Sequence, residues 1–299
     1  MAQQREYHDI IFQKHQRKKH VAWITINRPQ SLNAVTAETL KEIAVALDDC
    51  TTDNSIGAVV LTGVGDMAFS SGGDVRWEQE AFGKLPEDAG GGLGANVHNA
   101  LHHCGKPVIA RVNGYAIGYG NHIAYYCDLT IAAEHAIFGQ NGPRVGSPAD
   151  GMMVSQAAKI LGHKRAREMW YLCRRYTAQQ MLDWGLVNEV TPSLVDEKGQ
   201  YFTDPARRAE ALKNWRAAKK DLRALDEAVD RMCDEVLEKS PTCLRILKAS
   251  FEREMDHIRD GFGDIRRQVA PHYFSTEEPV EGQRAFLEKR QVDFSRFRQ

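Results

Sequence analysis

Two glycine-rich stretches hold the residues best suited to chemistry, Phe69-Ser70-Ser71-Gly72-Gly73-Asp74 and Asn113-Gly114-Tyr115-Ala116-Ile117-Gly118-Tyr119-Gly120. Each follows an apolar, β-branched run, at 56–61 and 107–112, and each precedes a stretch that can be helical. Strand-to-helix turns of this kind can aim backbone N–H groups into one cavity, because helix N-termini carry unsatisfied donors. A pair of such donors suits an oxygen that becomes negative during a reaction, a thioester enolate for example. Either loop alone would be explained by the tight turns glycine permits. Two ionisable side chains lie further along. His122 has a residue type that can take or give a proton at neutral pH. Asp150 offers a carboxylate, or caps a helix starting near Gly151, two readings that are compatible.

The elements that must position these groups follow from pattern. Residues 7–12 and 21–27 read as a strand pair, with the basic tract Arg17-Lys18-Lys19-His20 as a solvated turn and Arg28-Pro29 as the stop. Leu40, Ile43, Ala44 and Leu47 recur at helical spacing between Thr36 and Asp49. Residues 58–62 form a continuous apolar strand of the kind buried on both faces. The glycine-rich stretch 86–95 reads as a mobile loop over the site. Then come strand 107–112, helix 120–127, strand 128–132 and a short strand 136–138, an alternation that argues for a right-handed βαβ superhelix. Helices are expected at 153–160, 163–173 and 177–184, with Thr177 and Gln180 in the form of a capping box. A charged stretch at 206–239 reads as a solvated helix. The last segment is helical to about Val269 and continues into an irregular tail, 273–278.

Composition narrows the function classes. The 299 residues are 42% hydrophobic and 26% charged, ordinary for a globular protein that buries a large core. A net charge of −1 gives no global argument for nucleic acid or an anionic membrane. No apolar run approaches the roughly 20 residues that span a bilayer. The N-terminus lacks an apolar signal core, and six scattered cysteines form no C-x-x-C. The expectation is a cytoplasmic protein with reduced thiols and no metal site.

The two loops, in this order and spacing, resemble the crotonase (enoyl-CoA hydratase/isomerase) superfamily, and the likeness runs from Tyr7 to Phe297. Asn27-Arg28-Pro29 with Leu32-Asn33-Ala34, Cys127-Asp128-Leu129-Thr130-Ile131-Ala132-Ala133 and Trp184-Gly185-Leu186-Val187-Asn188 are further marks. The resemblance implies an α/β fold, the crotonase-type ββα superhelix, with a C-terminal helical trimerisation region. It implies a spiral core with the CoA site over 1–195, an inserted charged helical segment over 196–240 and a C-terminal helical region and tail over 241–299. Acyl-CoA substrates and a homotrimer or hexamer (a dimer of trimers) are implied with it, with no cofactor beyond the CoA of the substrate.

Within the superfamily, Ile137-Phe138-Gly139-Gln140-Asn141-Gly142-Pro143-Arg144-Val145-Gly146-Ser147 is similar to the hallmark of 1,4-dihydroxy-2-naphthoyl-CoA synthase and 2-ketocyclohexanecarboxyl-CoA hydrolase. The tail from Thr276 to Phe294 is similar to both, and the segment 199–205 resembles 6-oxocyclohex-1-ene-1-carbonyl-CoA hydrolase. Carried over by position, the oxyanion donors fall on the N–H groups of Gly73 and Tyr119, the latter replacing the usual glycine. Enoyl-CoA hydratases use two glutamates where this chain has His122 and Gly142, so addition of water to a simple enoyl-CoA is not expected. Gly142 matches the glycine at which some synthases bind bicarbonate. An aspartate common to that branch is Ala149 here, while Asp150 matches the aspartate of dienoyl-CoA isomerases and a dehalogenase. Ser147 and Tyr273 match substrate-contacting residues. Leu32, Ser71, Asp74, Phe286 and Lys289 match positions that contact CoA.

The leading expectation is therefore hydrolytic, retro-Claisen ring opening of an alicyclic oxoacyl-CoA through a thioester enolate. The alternatives are Claisen ring closure in menaquinone synthesis, another crotonase activity such as isomerisation, and a non-catalytic RNA-binding homologue. For the last, Arg207, Arg208, Lys213, Arg216, Lys219 and Lys220 could form a basic face, but interleaved acidic residues speak against it, so neither nucleic acid nor membrane is an expected partner.

Overall fold

A computed structural model describes residues 6–82, 97–149, 151–262, 265–270 and 272–297. The loop expected at 86–95 and the side chain of Asp150 lie outside these residues.

The chain begins with the antiparallel pair β1 (Ile10–Lys14) and β2 (Val21–Ile26), followed by α1 (Ala37–Thr52). Thr36 and Thr39 form a reciprocal capping box at the start of α1, and Leu40, Ile43 and Leu47 bury its core face as the spacing predicts. Three turns of one pattern follow. β3 (Ala58–Gly63) and β4 (Ala68–Ser70) lead into α2 (Val75–Phe82) and helical residues 97–103 (α3). β5 (Val108–Val112) and β6 (Tyr115–Ile117) lead into α4 (Tyr119–Tyr126). β7 (Leu129–Ala133) and β8 (Ile137–Gly139) lead into α5 (Gly142–Val145), α6 (Met152–Leu161) and α7 (His163–Leu172). Each turn gives its first strand to one sheet and its second to another. With β9 at Arg175–Thr177 and β10 at Glu189–Thr191, the larger sheet has the order β1-β2-β3-β5-β7-β10, parallel from β2 onward, and the smaller β4-β6-β8-β9. β9 (Arg175–Thr177), α8 (Ala178–Asp183) and β10 (Glu189–Thr191) close the spiral, with the Thr177–Gln180 capping box in place. β3 and β5 are buried along their whole length, which is why they read as continuous apolar runs.

The structure departs from expectation in three places. The stretch 206–239 is two helices, α9 (Pro205–Lys213) and α10 (Arg223–Leu237), rather than one. Only α9 lacks buried residues; α10 is not a solvated helix, because Leu225, Ala228, Val229 and Cys233 seat it on the outer face of the large sheet against Val21, Trp23, Val60 and Ile131. These residues have the i, i+3, i+4 spacing of an apolar stripe, masked in sequence by the surrounding charge. The basic tract is a surface turn, with Arg17, Lys19 and His20 exposed, yet two of its cations are paired with α10: Arg17 reaches Asp230 at 2.9 Å and lies over the Trp23 ring at 5.3 Å, and Lys18 pairs with Asp234 at 2.5 Å. After α11 (Pro241–Phe262) and α12 (Ile265–Val269), the tail is not irregular throughout, since Glu277–Leu287 forms α13. Pro279 in its first turn is compatible with that start. Gly282 lets the helix close on α5: a Cβ there would stand 2.7 Å from the Gly146 nitrogen.

Candidate active site

The two glycine loops are neighbours because the strands that feed them are. β4 pairs in parallel with β6, Ala68 opposite Tyr115 and Ser70 opposite Ala116, so both loops leave the sheet at the same end. Val35 fixes the first loop by accepting from the Asp74 N–H (2.9 Å) and donating to the Gly72 carbonyl (2.8 Å). The intervening Gly73 N–H has no backbone acceptor among the described residues. Tyr119 opens α4, so its N–H stands at the positive end of that helix. Gly72, at φ +106°, presses directly on the second loop: a Cβ there would meet the Ile117 carbonyl oxygen at 2.8 Å and the Tyr119 nitrogen at 3.4 Å. Gly118 makes the turn into α4 at φ +55°.

Behind the loops lies a wall of rings. His98 stacks on Tyr119 (5.1 Å between centroids) and on Tyr126 (4.2 Å), and His122 lies 5.4 Å from Tyr119 and 5.3 Å from Trp170. Burial pushes the His122 imidazole down to about 3 and the His98 imidazole well below its ordinary value, so both are neutral at neutral pH. Burial likewise pushes the Tyr119 phenol well above its usual range. Among the described residues several polar atoms here meet no hydrogen-bond partner of good geometry: Asn121 Oδ1, Trp170 Nε1, both ring nitrogens of His122 and both amide atoms of Gln140, whose side chain stands beside His122 and offsets part of its burial shift. Sequence reasoning singled out only His122 among them. Such orphaned groups are costly when left unmet.

Gly142 and Ser147 adjoin the same wall. The Ser147 N–H donates to the Gly142 carbonyl at 3.0 Å, and a Cβ on Gly142 would run into the Ser147 carbonyl oxygen and stand 3.6 Å from Trp170 Cζ3. Gly142 is thus packed on Ser147 and Trp170, and the unpartnered Trp170 Nε1 and Gln140 Nε2 belong to the same wall. α6 begins at Met152 with Gly151 at its cap position. Tyr273 lies outside the ring cluster, packing edge-on against Phe274 at 5.5 Å, and burial beside Glu278 pushes its phenol up to about 12.

The positions matched to CoA contacts fall in two places. Leu32, exposed and left-handed at φ 54°, accepts from the Ser71 N–H at 3.0 Å, next to the first loop. Asp74 is bonded to Arg28 (3.1 Å) and caps α2 through the Arg76 and Trp77 N–H groups at 3.2 and 3.4 Å. Phe286 and Lys289 line a cavity of about 550 Å³ with Arg144, Ala285 and Arg290. Arg290 is held by Glu281 at 2.7 Å, which leaves Arg144 and Lys289 as its cations toward an anionic ligand. Of the basic residues on the inserted segment, Arg208 is paired to Glu134, while Arg216 and Lys220 lie over Trp215 at 5.5 and 5.7 Å.

One further carboxyl group had no motif to announce it. Glu78 sits in the first turn of α2, one turn beyond the Asp74 cap, and its side chain folds back so that a Cβ on Gly73 would collide with its Oε1 and stand 3.1 Å from its Cδ. Burial, with the Asp74 charge adding to it, pushes Glu78 up to about 7.

Comparison with known proteins gives a consistent picture. The family model described as enoyl-CoA hydratase/isomerase matches residues 16–231. A solved enoyl-CoA hydratase from Mycobacterium avium subsp. paratuberculosis K-10 is similar at 25% identity and TM-score 0.72, covering 97% of this chain and 100% of its own. A carnitinyl-CoA hydratase from Mycobacterium avium is similar at 26% identity and TM-score 0.71, covering 96% and 98%. An enoyl-CoA hydratase/isomerase from Xanthobacter autotrophicus Py2 is similar at 28% identity and TM-score 0.68, covering 95% and 93%.

Proposed function

Because the chain belongs to the enoyl-CoA hydratase/isomerase family, whose members are enzymes acting on acyl-CoA, we propose that it opens an alicyclic β-oxoacyl-CoA ring by a hydrolytic, retro-Claisen step. The observation that carries this reading is the orphaned polar wall at Asn121, His122, Gln140 and Trp170, beside the loop that ends in Tyr119. A hydrocarbon acyl chain would leave each of these groups unmet, at about 1–3 kcal/mol apiece. A ring bearing a ketone oxygen would accept from the donors of this wall, the Gln140 amide N–H, the Trp170 indole N–H and the one N–H of a neutral His122, while Asn121 Oδ1 is an acceptor. The neutral state of His122 supports the same division, since an imidazole near 3 binds and orients oxygen well but is a weak base.

In this reading the thioester oxygen lies on the N–H groups of Gly73 and Tyr119. Water adds to the ring ketone, the bond from that carbon to the thioester α-carbon breaks, and its electron pair becomes the enolate. Protonation at the α-carbon gives a dicarboxylic mono-CoA ester. His122 or Asp150 orients the water. CoA would run past Leu32 and Ser71, and the cavity at Arg144, Phe286 and Lys289 would take an anionic, ring-bearing end such as a nucleotide, from this chain or an adjacent one. A homotrimer or hexamer belongs to the proposal; the exposed Tyr171 and Leu172 of α7 and Ile246, Leu247 and Phe251 of α11 are apolar surface for such contacts. So does a cytoplasmic location.

The test is to incubate the protein with 2-oxocyclohexanecarboxyl-CoA and, separately, succinylbenzoyl-CoA, and to read product masses. Gain of one water on the first, with solvent oxygen in the new carboxylate, is the expected result. Loss of water from the second alone would instead make the enzyme a ring-closing synthase working through the same enolate.

A further inference from the structure

We propose that Glu78 is the catalytic proton carrier of this site, taking a proton from the attacking water and delivering one to the α-carbon of the thioester enolate. The assignment rests on the enolate reading above. Its basis is position. The Asp74 side chain caps α2 and the Glu78 N–H donates to the Asp74 carbonyl at 2.8 Å, so the first turn of α2 is fixed with respect to the glycine loop. From that turn the Glu78 carboxyl reaches back onto the α-carbon of Gly73, its Cδ 3.1 Å from where a Cβ would be. Gly73 supplies one of the two oxyanion donors, and the thioester α-carbon is only two bonds from the oxygen those donors hold. A carboxyl group against Gly73 is therefore placed beside the atoms that gain and lose protons.

Its chemistry fits. Asp74 is tied to Arg28 and to two N–H groups of α2, whereas the Glu78 carboxyl has no hydrogen bond or ion pair among the described residues. A carboxyl near 7 populates both forms at neutral pH, which is what a group that must act first as base and then as acid requires. A glutamate serving only the helix dipole would be exposed and shifted the other way. The steps balance. Carboxylate takes one proton from water as the water oxygen bonds to the ring ketone carbon. The resulting alkoxide collapses with cleavage to the α-carbon, and the carboxylic acid of Glu78 protonates that carbon. The new acid group of the product releases the second proton of the water to solvent.

The test uses the reverse proton step alone. Wild type, E78Q and E78D are incubated with heptanedioyl-CoA, the thioester that opening of the six-membered ring would yield, in deuterium oxide, and α-hydrogen exchange is read by mass spectrometry with thioester affinity measured in parallel. Wild type should exchange. E78Q should lose exchange by about 10²-fold or more with affinity within about threefold, and E78D should retain a substantial part. Thermal melting of E78Q at or above that of wild type shows that the loss is not unfolding, and E78D, which keeps the carboxyl, gives a second reading. Exchange by E78Q at the wild-type rate would overturn the assignment and leave the enolate reading standing. A wild type that binds the thioester without exchanging it would overturn both.

Discussion

The contact between the two glycine loops can be broken at one atom. Gly72→Ala adds a methyl group at a residue with φ +106°, where that methyl would sit 2.8 Å from the Ile117 carbonyl oxygen. The backbone strain alone costs on the order of 1–3 kcal/mol. The collision is with main chain of β6 and cannot be relieved by rotating a side chain, so the segment carrying Tyr119, whose nitrogen is 3.4 Å away, must shift. Gly65→Ala is the matched control: φ is +83°, but nothing lies within 4 Å of the added methyl. Both variants should lose stability, lowering Tm by roughly 2–4 °C per kcal/mol for a chain of this size. Only Gly72→Ala should lose turnover. Displacing one oxyanion donor costs about 10²–10³ in kcat, with a smaller change in KM because the donor acts on charge that develops in the transition state. The assay is ring opening of 2-oxocyclohexanecarboxyl-CoA beside thermal melting of both variants. A Gly72→Ala enzyme with wild-type kcat, or an equal loss of kcat in Gly65→Ala, would refute the placement of the donors at this loop contact.

Two further outcomes follow from the same geometry. With its folded value raised from 4.5 to about 7, Glu78 favours folding in its protonated form; that contribution, at most about 3 kcal/mol, is complete below about pH 4.5 and is lost as pH rises through 7. E78Q should therefore gain stability relative to wild type on going from about pH 5 to pH 8 in urea unfolding, and a constant difference would contradict the shift. Gln140→Leu removes an amide whose two polar atoms are both orphaned, so it should leave stability unchanged or raise it by about 1 kcal/mol. The same variant should weaken binding of the cyclic oxoacyl-CoA by roughly tenfold and spare a straight-chain saturated acyl-CoA, read by titration of both ligands.

What was legible in the sequence was whatever a local rule controls. β3 and β5 declare themselves as apolar runs, and the two glycine loops are visible because Gly72 and Gly118 occupy backbone that other residues rarely adopt. The capping box at Thr177 and the core face of α1 are local in the same sense. β4, β9 and β10 are three residues each, too short to show alternation. The amphipathy of α10 was outweighed by its charges, whose partners are on the Arg17–Lys18 tract about two hundred residues away. Glu78 illustrates the limit best. Nothing in the spacing of a glutamate five residues after Gly73 foretells that it folds back; that depends on the Asp74 cap of α2, on the Arg28–Asp74 pair that fixes it, and on the partial burial of the Glu78 side chain. Gln140, Asn121 and Trp170 were equally silent, since their significance is the missing partner, which only three-dimensional packing defines.

The directions of the pKa shifts divide labour within the site. Burial takes the charge from His98 and His122 by pushing them down, and from Tyr119 by pushing it up, so the ring wall is polar but uncharged across the physiological range. A wall of that kind recognises an oxygen without competing for the proton. The backbone N–H groups of Gly73 and Tyr119, the proposed oxyanion donors, do not titrate at all. Proton transfer therefore falls to a group outside the wall yet touching the loops, and among the described residues beside Gly73 that group is Glu78. Substitution in the three parts should accordingly separate three observables: the wall should govern affinity for oxygenated acyl groups, the loop contact should govern kcat, and Glu78 should govern α-hydrogen exchange. If one substitution moved all three together, the parts would be acting as a single packed unit and the division drawn from the electrostatics would be wrong.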